Sequence, residues 1–171
     1  LSPDNQEYWQ NTGVGNDTRA NHTPMRHLIM DSLRFYVDEL HVDGFRFDLA
    51  AILGQIDGDY NNWDDAANTV LKDIIEDPSM QKNNTRIIAE PWSAGGNYGS
   101  LLGAYPKAFD RDDFGWGEWN ARFRDSIRDL LNADEVVLTD DVRDVEFGQA
   151  MTGTSRLYEW NGRHPYHSVN F

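Results

Sequence analysis

The chain of 171 residues contains no cysteine. That excludes disulfides and thiolate metal sites and leaves the compartment open. No apolar run approaches the roughly 20 residues that a membrane-spanning helix needs, so the expectation is a soluble protein without a membrane partner. Positive charge is scarce: 15 Lys and Arg stand against 29 Asp and Glu, a formal net charge of −14. Such a surface repels nucleic acid and anionic lipid. It does not repel a neutral polymer, and it also serves plain solubility. The opening Leu-Ser-Pro-Asp-Asn-Gln has no initiator Met and none of the pattern of a signal peptide. What is present is 39% hydrophobic residues in a chain long enough for one buried core, which places it among globular domains. Asn-x-Thr triplets at Asn16, Asn21 and Asn83 lie in polar stretches and do not locate the protein.

Residues 1–23 are rich in Asn, Asp, Gly and Thr and are expected to form a long loop, with Tyr8 and Trp9 as its aromatic contacts. Thr23-Pro24 reads as a cap followed by proline at the first helical position. Met25, Leu28, Ile29, Leu33, Tyr36, Val37 and Leu40 then recur at helical spacing, predicting a helix over 24–40. From Val42 to Leu49 the period changes to two, which predicts a strand. Asp64 is placed to cap a second helix carrying Ala66, Ala67, Val70, Leu71, Ile74 and Ile75, limited by Pro78. Arg86 to Glu90 is a second strand ended by Pro91, and 91–115 is a long Gly-containing loop of the kind that usually carries function. Trp116 to Trp119 is a third strand; Phe123, Ile127, Leu130 and Leu131 mark a third helix; His167 to Phe171 begins another strand. Strands separated by helices predict an α/β fold with parallel pairing.

Arg46 and Asp48 are two apart in a strand, so they share a face, while Phe45 and Phe47 take the other. Glu90 ends the next strand. Neighbouring parallel strands lie about 4.8 Å apart, so the two carboxyls can face each other at the carboxyl end, where ligands of parallel sheets bind. Glycoside cleavage with retention needs two carboxyls about 5–5.5 Å apart, one ionised and one protonated. Arg46, permanently charged, favours the ionised form of Asp48. Pro91 and Trp92 beside Glu90 favour its protonated form. The expected roles are therefore Asp48 as nucleophile and Glu90 as acid/base. The other account of the same residues is a buried structural Arg46–Asp48 pair with Glu90 capping a loop.

Val42-Asp43-Gly44-Phe45-Arg46-Phe47-Asp48 resembles the nucleophile strand of the α-amylase superfamily, and Ile88-Ala89-Glu90-Pro91-Trp92 resembles the acid/base strand of its debranching branch. Asn11 to Asn16 with Asn21-His22, Gly95-Gly96-Asn97, Trp116 to Asn120 with Phe123-Arg124-Asp125, and Pro165 to Phe171 are similar to segments of isoamylases and glycogen debranching enzymes. The resemblance implies a TIM (β/α)₈ barrel, of which residues 1–171 supply roughly strands four to seven with intervening helices and long βα loops. On that basis the chain is a partial catalytic domain, incomplete at both ends and doubtful as an enzyme alone. It implies hydrolysis of α-1,6 branch points in glycogen, amylopectin or maltooligosaccharide, without a cofactor. An α-1,4-acting amylase, a pullulanase-like or a trehalose-forming relative keeps the fold and changes the bond. A glycan-binding fragment that does not cut, and a truncated product with no function, are the remaining classes.

Lesser candidates are Trp92, for stacking on a sugar or as a core aromatic, and Asn97, Tyr98 and His167 as cleft residues. Glu118 is read as a hydrogen-bonded structural residue rather than an inward one. His22, His27 and His41 are read as structural. Asp57, Asp59, Asp64 and Asp65 lack the later bidentate Glu of a hand-type calcium loop and are expected to be a solvated acidic loop, so no metal is assigned.

Overall fold

In the computed structural model, the described residues are Tyr8, 10–56, 59–63, 69–94, 101–108, 113–132 and 168–169. The first element is helix α1, Thr23–Asp38, which starts one residue and ends two residues before its periodicity suggests. Its cap position is His22 rather than Thr23, with no side-chain cap, and Pro24 falls in the first turn. Met30, Leu33 and Val37 are its buried stripe. Leu28 and Phe35 lie on the opposite face and are exposed, as are Tyr36 and Leu40, so the apolar spacing along this helix is wider than the face it buries. The chain leaves α1 through His41 in the left-handed region, φ 56°, a geometry that closes helices.

Strand β1, Gly44–Phe47, follows. After it come a single turn of helix, α2 (Ala51–Gly54), and a hairpin of β2 (Gln55–Ile56) and β3 (Asp59–Trp63). The sequence reading made this stretch a loop. Its organiser is Trp63, whose indole lies against Gly54, where any Cβ would collide with the ring, and whose Nε1 donates to the Ala51 carbonyl at 3.0 Å.

The expected second helix is two. Helix α3, Val70–Glu76, stops at Asp77, and Asp77 caps α4, Pro78–Lys82, by accepting from the backbone N–H groups of Ser79 and Met80. Pro78 thus starts a helix as well as ending one, since its missing N–H costs nothing at a first-turn position. Asp77 is buried and pairs with Arg34 at 2.8 Å, and Arg26 pairs with Asp73 at 2.6 Å, so two ion pairs fasten α1 to the α3–α4 corner. Asn21 fastens the start of α1 to the same region. Its Nδ2 donates to the carbonyls of Leu53 and Gln55, each at 3.0 Å, and its Oδ1 accepts from the Val70 N–H at 3.0 Å.

Strands β4 (Arg86–Ala89), β5 (Trp116–Trp119) and β6 (Ser168–Val169) complete a parallel sheet in the order β1-β4-β5-β6, and helix α5 (Ala121–Asn132) follows β5. Asn120 opens α5, its Oδ1 accepting from the Phe123 N–H at 3.0 Å. The register aligns Phe45 with Ile87 and Ile87 with Trp116, then Phe47 with Ala89 and Ala89 with Glu118. These residues share the face covered by helices, where Leu71, Ile74, Ile75 and Met80 are fully buried. Trp116 is the keystone there: its ring lies 4.9 Å from Phe47 and its Nε1 donates to the Leu71 carbonyl at 3.0 Å. Glu118 shares this buried face, accepting from the backbone N–H groups of Gly103 and Tyr105. The opposite face carries Arg46, Ile88 and Gly117 in one row.

Gly44 sets how closely β1 approaches β4. A Cβ there would stand 2.7 Å from both the Cβ and the carbonyl oxygen of Arg86, backbone and near-backbone atoms that cannot swing aside. Gly44→Ala is expected to cost about 1–3 kcal/mol in a denaturant titration, as overpacking does. Unchanged stability would show that the strands tolerate separation.

Candidate active site

The carboxyl ends of β1 and β4 are interlocked by backbone. The Glu90 N–H donates to the Phe47 carbonyl at 3.1 Å, and the Ala50 N–H donates to the Glu90 carbonyl at 2.9 Å. Asp48 and Glu90 each stand one residue beyond these strands, on the Arg46–Ile88 face by the two-residue period. Between Asp48 and Ala50 the chain turns through Leu49 in the left-handed region, φ 45°, uncommon for a residue with a Cβ. That turn aims the Leu49 N–H at Glu90 Oε2, 2.9 Å away.

Arg46 joins the two carboxylates. One terminal nitrogen meets Asp48 Oδ1 at 2.6 Å and the other meets Glu90 Oε1 at 2.6 Å. The two acids differ sharply in surroundings: the Asp48 side chain is 74% exposed and that of Glu90 11%. The Arg46–Asp48 pair is therefore not a buried structural pair. Burial is the main force on Glu90, raising its pKa above the ordinary glutamate value. The Leu49 N–H and the Arg46 charge oppose this, while Asp48 adds to it by hydrogen bonding to Glu90 and by its own charge. The direction is that anticipated from Pro91 and Trp92. The causes include Asp48 itself, which sequence reasoning did not supply.

Beneath the guanidinium lies Trp119, its ring centroid 4.4 Å from Arg46 Cζ. Trp119 neighbours Trp92 at 6.4 Å, and Arg124 from α5 lies over Trp92 at 5.7 Å. Trp92 is largely buried, 7% exposed. Asn97, Tyr98 and His167 lie outside the described residues. Trp119 is the neighbour that sequence analysis missed. The signal was available: alternation through Trp116-Gly117-Glu118-Trp119 puts Trp119 on the face of Gly117 once Trp116 is known to be core.

The amino-terminal segment reaches the same end of the sheet. The Ala94 N–H donates to the Asn11 carbonyl at 2.9 Å, and Asn11 Nδ2 donates to Gln55 Oε1 at 3.2 Å. Asp17 Oδ1 accepts from the N–H groups of Asn11 and Thr12, folding this loop back on itself. Tyr105 is fully buried and its phenol is held protonated, first by burial and then by the nearby Glu118 and Glu90. Among the described residues no three His, Asp or Glu side chains are grouped to hold a metal ion. Of the acidic residues considered for calcium, Asp57, Asp64 and Asp65 lie outside the described residues. No helix among the described residues is long and apolar enough to cross a membrane.

No protein-family model matches the chain. Comparison with known proteins finds isoamylase 3, chloroplastic, of Oryza sativa subsp. japonica, 40% identical over 168 residues that span 98% of this chain and 19% of the relative. The isoamylase of a Flavobacterium species is 36% identical over 177 residues, spanning 100% of this chain and 21% of the relative. Among solved structures, a pullulanase complexed with maltotriose from Anoxybacillus sp. LM18-11 superposes with a TM-score of 0.62 at 22% identity, covering 96% of this chain and 22% of that one. The last likeness speaks to fold alone. The chain spans about a fifth of the length of the curated relatives it matches. The parallel sheet with its covering helices and these relatives agree: the chain belongs to the isoamylase and glycogen-debranching branch of the α-amylase superfamily, with a fold consistent with part of an incomplete (β/α) barrel.

Proposed function

We propose that this chain supplies the nucleophile and the acid/base of a retaining α-glucan hydrolase acting at α-1,6 branch points, within a larger (β/α)₈ barrel. The observation that carries the reading is the single guanidinium shared by Asp48 and Glu90 at the carboxyl ends of adjacent parallel strands. Asp48, exposed and ion-paired, is the group free to attack an anomeric carbon. Glu90, mostly buried and raised in pKa, is the group that keeps a proton for the departing oxygen. Their closeness through one guanidinium, 2.6 Å from each acid, suits retention better than the about 6.5–9.5 Å separation that leaves room for an inverting water. Once the glycosyl–Asp48 ester has formed, Glu90, now ionised, takes a proton from water, and the ester is cleaved from the face opposite Asp48. Both displacements invert, so the net outcome is retention.

The substrate class is a branched α-glucan such as glycogen, amylopectin or a branched maltooligosaccharide. The acidic surface suits a neutral polymer, and the isoamylase relatives support α-1,6 over α-1,4 cleavage. Digestion of amylopectin should shorten the branched polymer to linear chains, while linear amylose is left intact. Attack on amylose with branch points untouched would transfer the reading to an α-1,4-acting relative.

Asp48→Asn and Glu90→Gln in the complete enzyme should each lower kcat by several orders of magnitude. The Glu90→Gln loss should be smallest with a substrate whose leaving group needs no proton. The first product anomer, followed by NMR, should be α. Release of the β-anomer first, or near-normal turnover in either variant, refutes the assignment.

The sign of the pH dependence follows from Glu90. As the proton donor it is active when protonated, so kcat/KM falls on the alkaline side as Glu90 ionises, and this limb should lie above the ordinary glutamate value of 4.5. Asp48 raises Glu90 both by its hydrogen bond and by its charge, so Asp48→Asn should lower the Glu90 midpoint in a carboxyl-carbon NMR titration. An upward shift would contradict the coupling.

A further inference from the structure

We infer that Trp119 is a positioning residue for the catalytic pair, acting through Arg46: its indole fixes the plane of the guanidinium so that one nitrogen serves Asp48 and the other Glu90. The inference rests on the functional reading above and deepens it. A guanidinium has an edge that donates hydrogen bonds and a face that stacks. Here two terminal nitrogens are committed to two carboxylates at 2.6 Å each, and the face is committed to Trp119 at 4.4 Å. The three partners come from three successive strands, β1, β4 and β5, so the arginine spans the sheet from its own strand past Glu90. Arg46 is 36% exposed, and its chain is long. Without a platform it has the freedom to swing to the exposed Asp48 alone, and that would leave Glu90 without its cation. Trp119 is itself held: Trp92 lies beside it at 6.4 Å, and Arg124, at the start of α5, covers Trp92. Two neighbouring indoles therefore lie between two cations, in the order Arg46, Trp119, Trp92, Arg124, which ties the first turn of α5 to the acid pair.

Among the described residues, the charged and titratable groups that act on Glu90 or feel its charge are Arg46 from β1, Asp48 just beyond it and the Tyr105 phenol from the segment before β5. Of these, Arg46 is the one that favours the ionised acid. Loosening it has a defined signature. Trp119→Leu in the complete enzyme should lower kcat about 3- to 30-fold. It should also move the alkaline limb of the pH profile upward and leave KM within about twofold, since substrate contacts are untouched. Trp119→Phe, which keeps a smaller ring, should fall between. In an Arg46→Lys background Trp119→Leu should add little further loss, because the planar face it serves is already gone.

A raised KM with an unmoved limb would make Trp119 a sugar platform, and the inference fails. A lowered melting temperature with wild-type kcat and limb would make it packing only, and it fails equally. Full additivity with Arg46→Lys overturns it as well. If Trp119→Leu does not fold, Trp119→Phe reads out the same shifts at smaller amplitude. Failure here leaves the functional reading standing as long as Asp48→Asn and Arg46→Lys remain impaired; normal turnover in Asp48→Asn removes that reading itself.

Discussion

Two acidic side chains held against one another at a strand end need a reason to stay there, and Arg46 is that reason. Like charges a few ångströms apart repel, and water normally separates them. One planar cation between Asp48 and Glu90 turns the repulsion into a shared geometry. The arrangement also keeps the acids unequal. Asp48 meets solvent, Glu90 meets the Leu49 N–H and the protein interior, and the same positive charge is felt by groups of different hydration. Division of labour between two otherwise similar carboxyls follows from that asymmetry.

The sheet enforces the geometry at longer range. Period-two alternation sorts each strand into a helix-facing set and a cleft-facing set. Phe45, Phe47, Ile87, Ala89 and Trp116 anchor one side against Leu71 and Ile74; Arg46, Asp48, Glu90 and Trp119 take what remains. A slip of one residue between β1 and β4 would exchange the two sets, putting the guanidinium into the core and the phenylalanines into solvent. The close approach at Gly44 and the interlocked bonds of Phe47, Ala50 and Glu90 guard against that slip. The catalytic geometry and the hydrophobic core are thus fixed by one register.

Much of this was legible from residue order. The period change after Val42, the parallel β-α-β order and the common face of Arg46 and Asp48 needed no coordinates. The desolvation of Glu90 followed from its neighbours. Three things were hidden, each for a physical reason. The helix of α2 and the hairpin after it carry no strong periodicity, being held by the Trp63 indole against Gly54 through a tertiary contact. The break between α3 and α4 hinges on Asp77 serving as cap and ion-pair partner at once, which local propensity does not encode. Trp119 under Arg46 depends on lateral strand order, a relation between residues 73 positions apart. The exposed side of α1 was over-read, because spacing shows which residues can share a face and not how wide the covering surface is.

The side chain of Asn21 has a consequence for modification. It begins one of the three Asn-x-Thr triplets, yet its amide nitrogen is already spent on the carbonyls of Leu53 and Gln55, and its oxygen on the Val70 N–H. A sugar joined to that nitrogen would replace one of those two donors and wedge a bulky group between α1 and the turn of α2. Asn16, by contrast, is exposed, and Asn83 makes one local bond to the Ser79 carbonyl. Of three identical acceptor signals, the native fold thus closes one to oligosaccharide transfer, and a chain glycosylated at Asn21 before folding would be barred from reaching this structure.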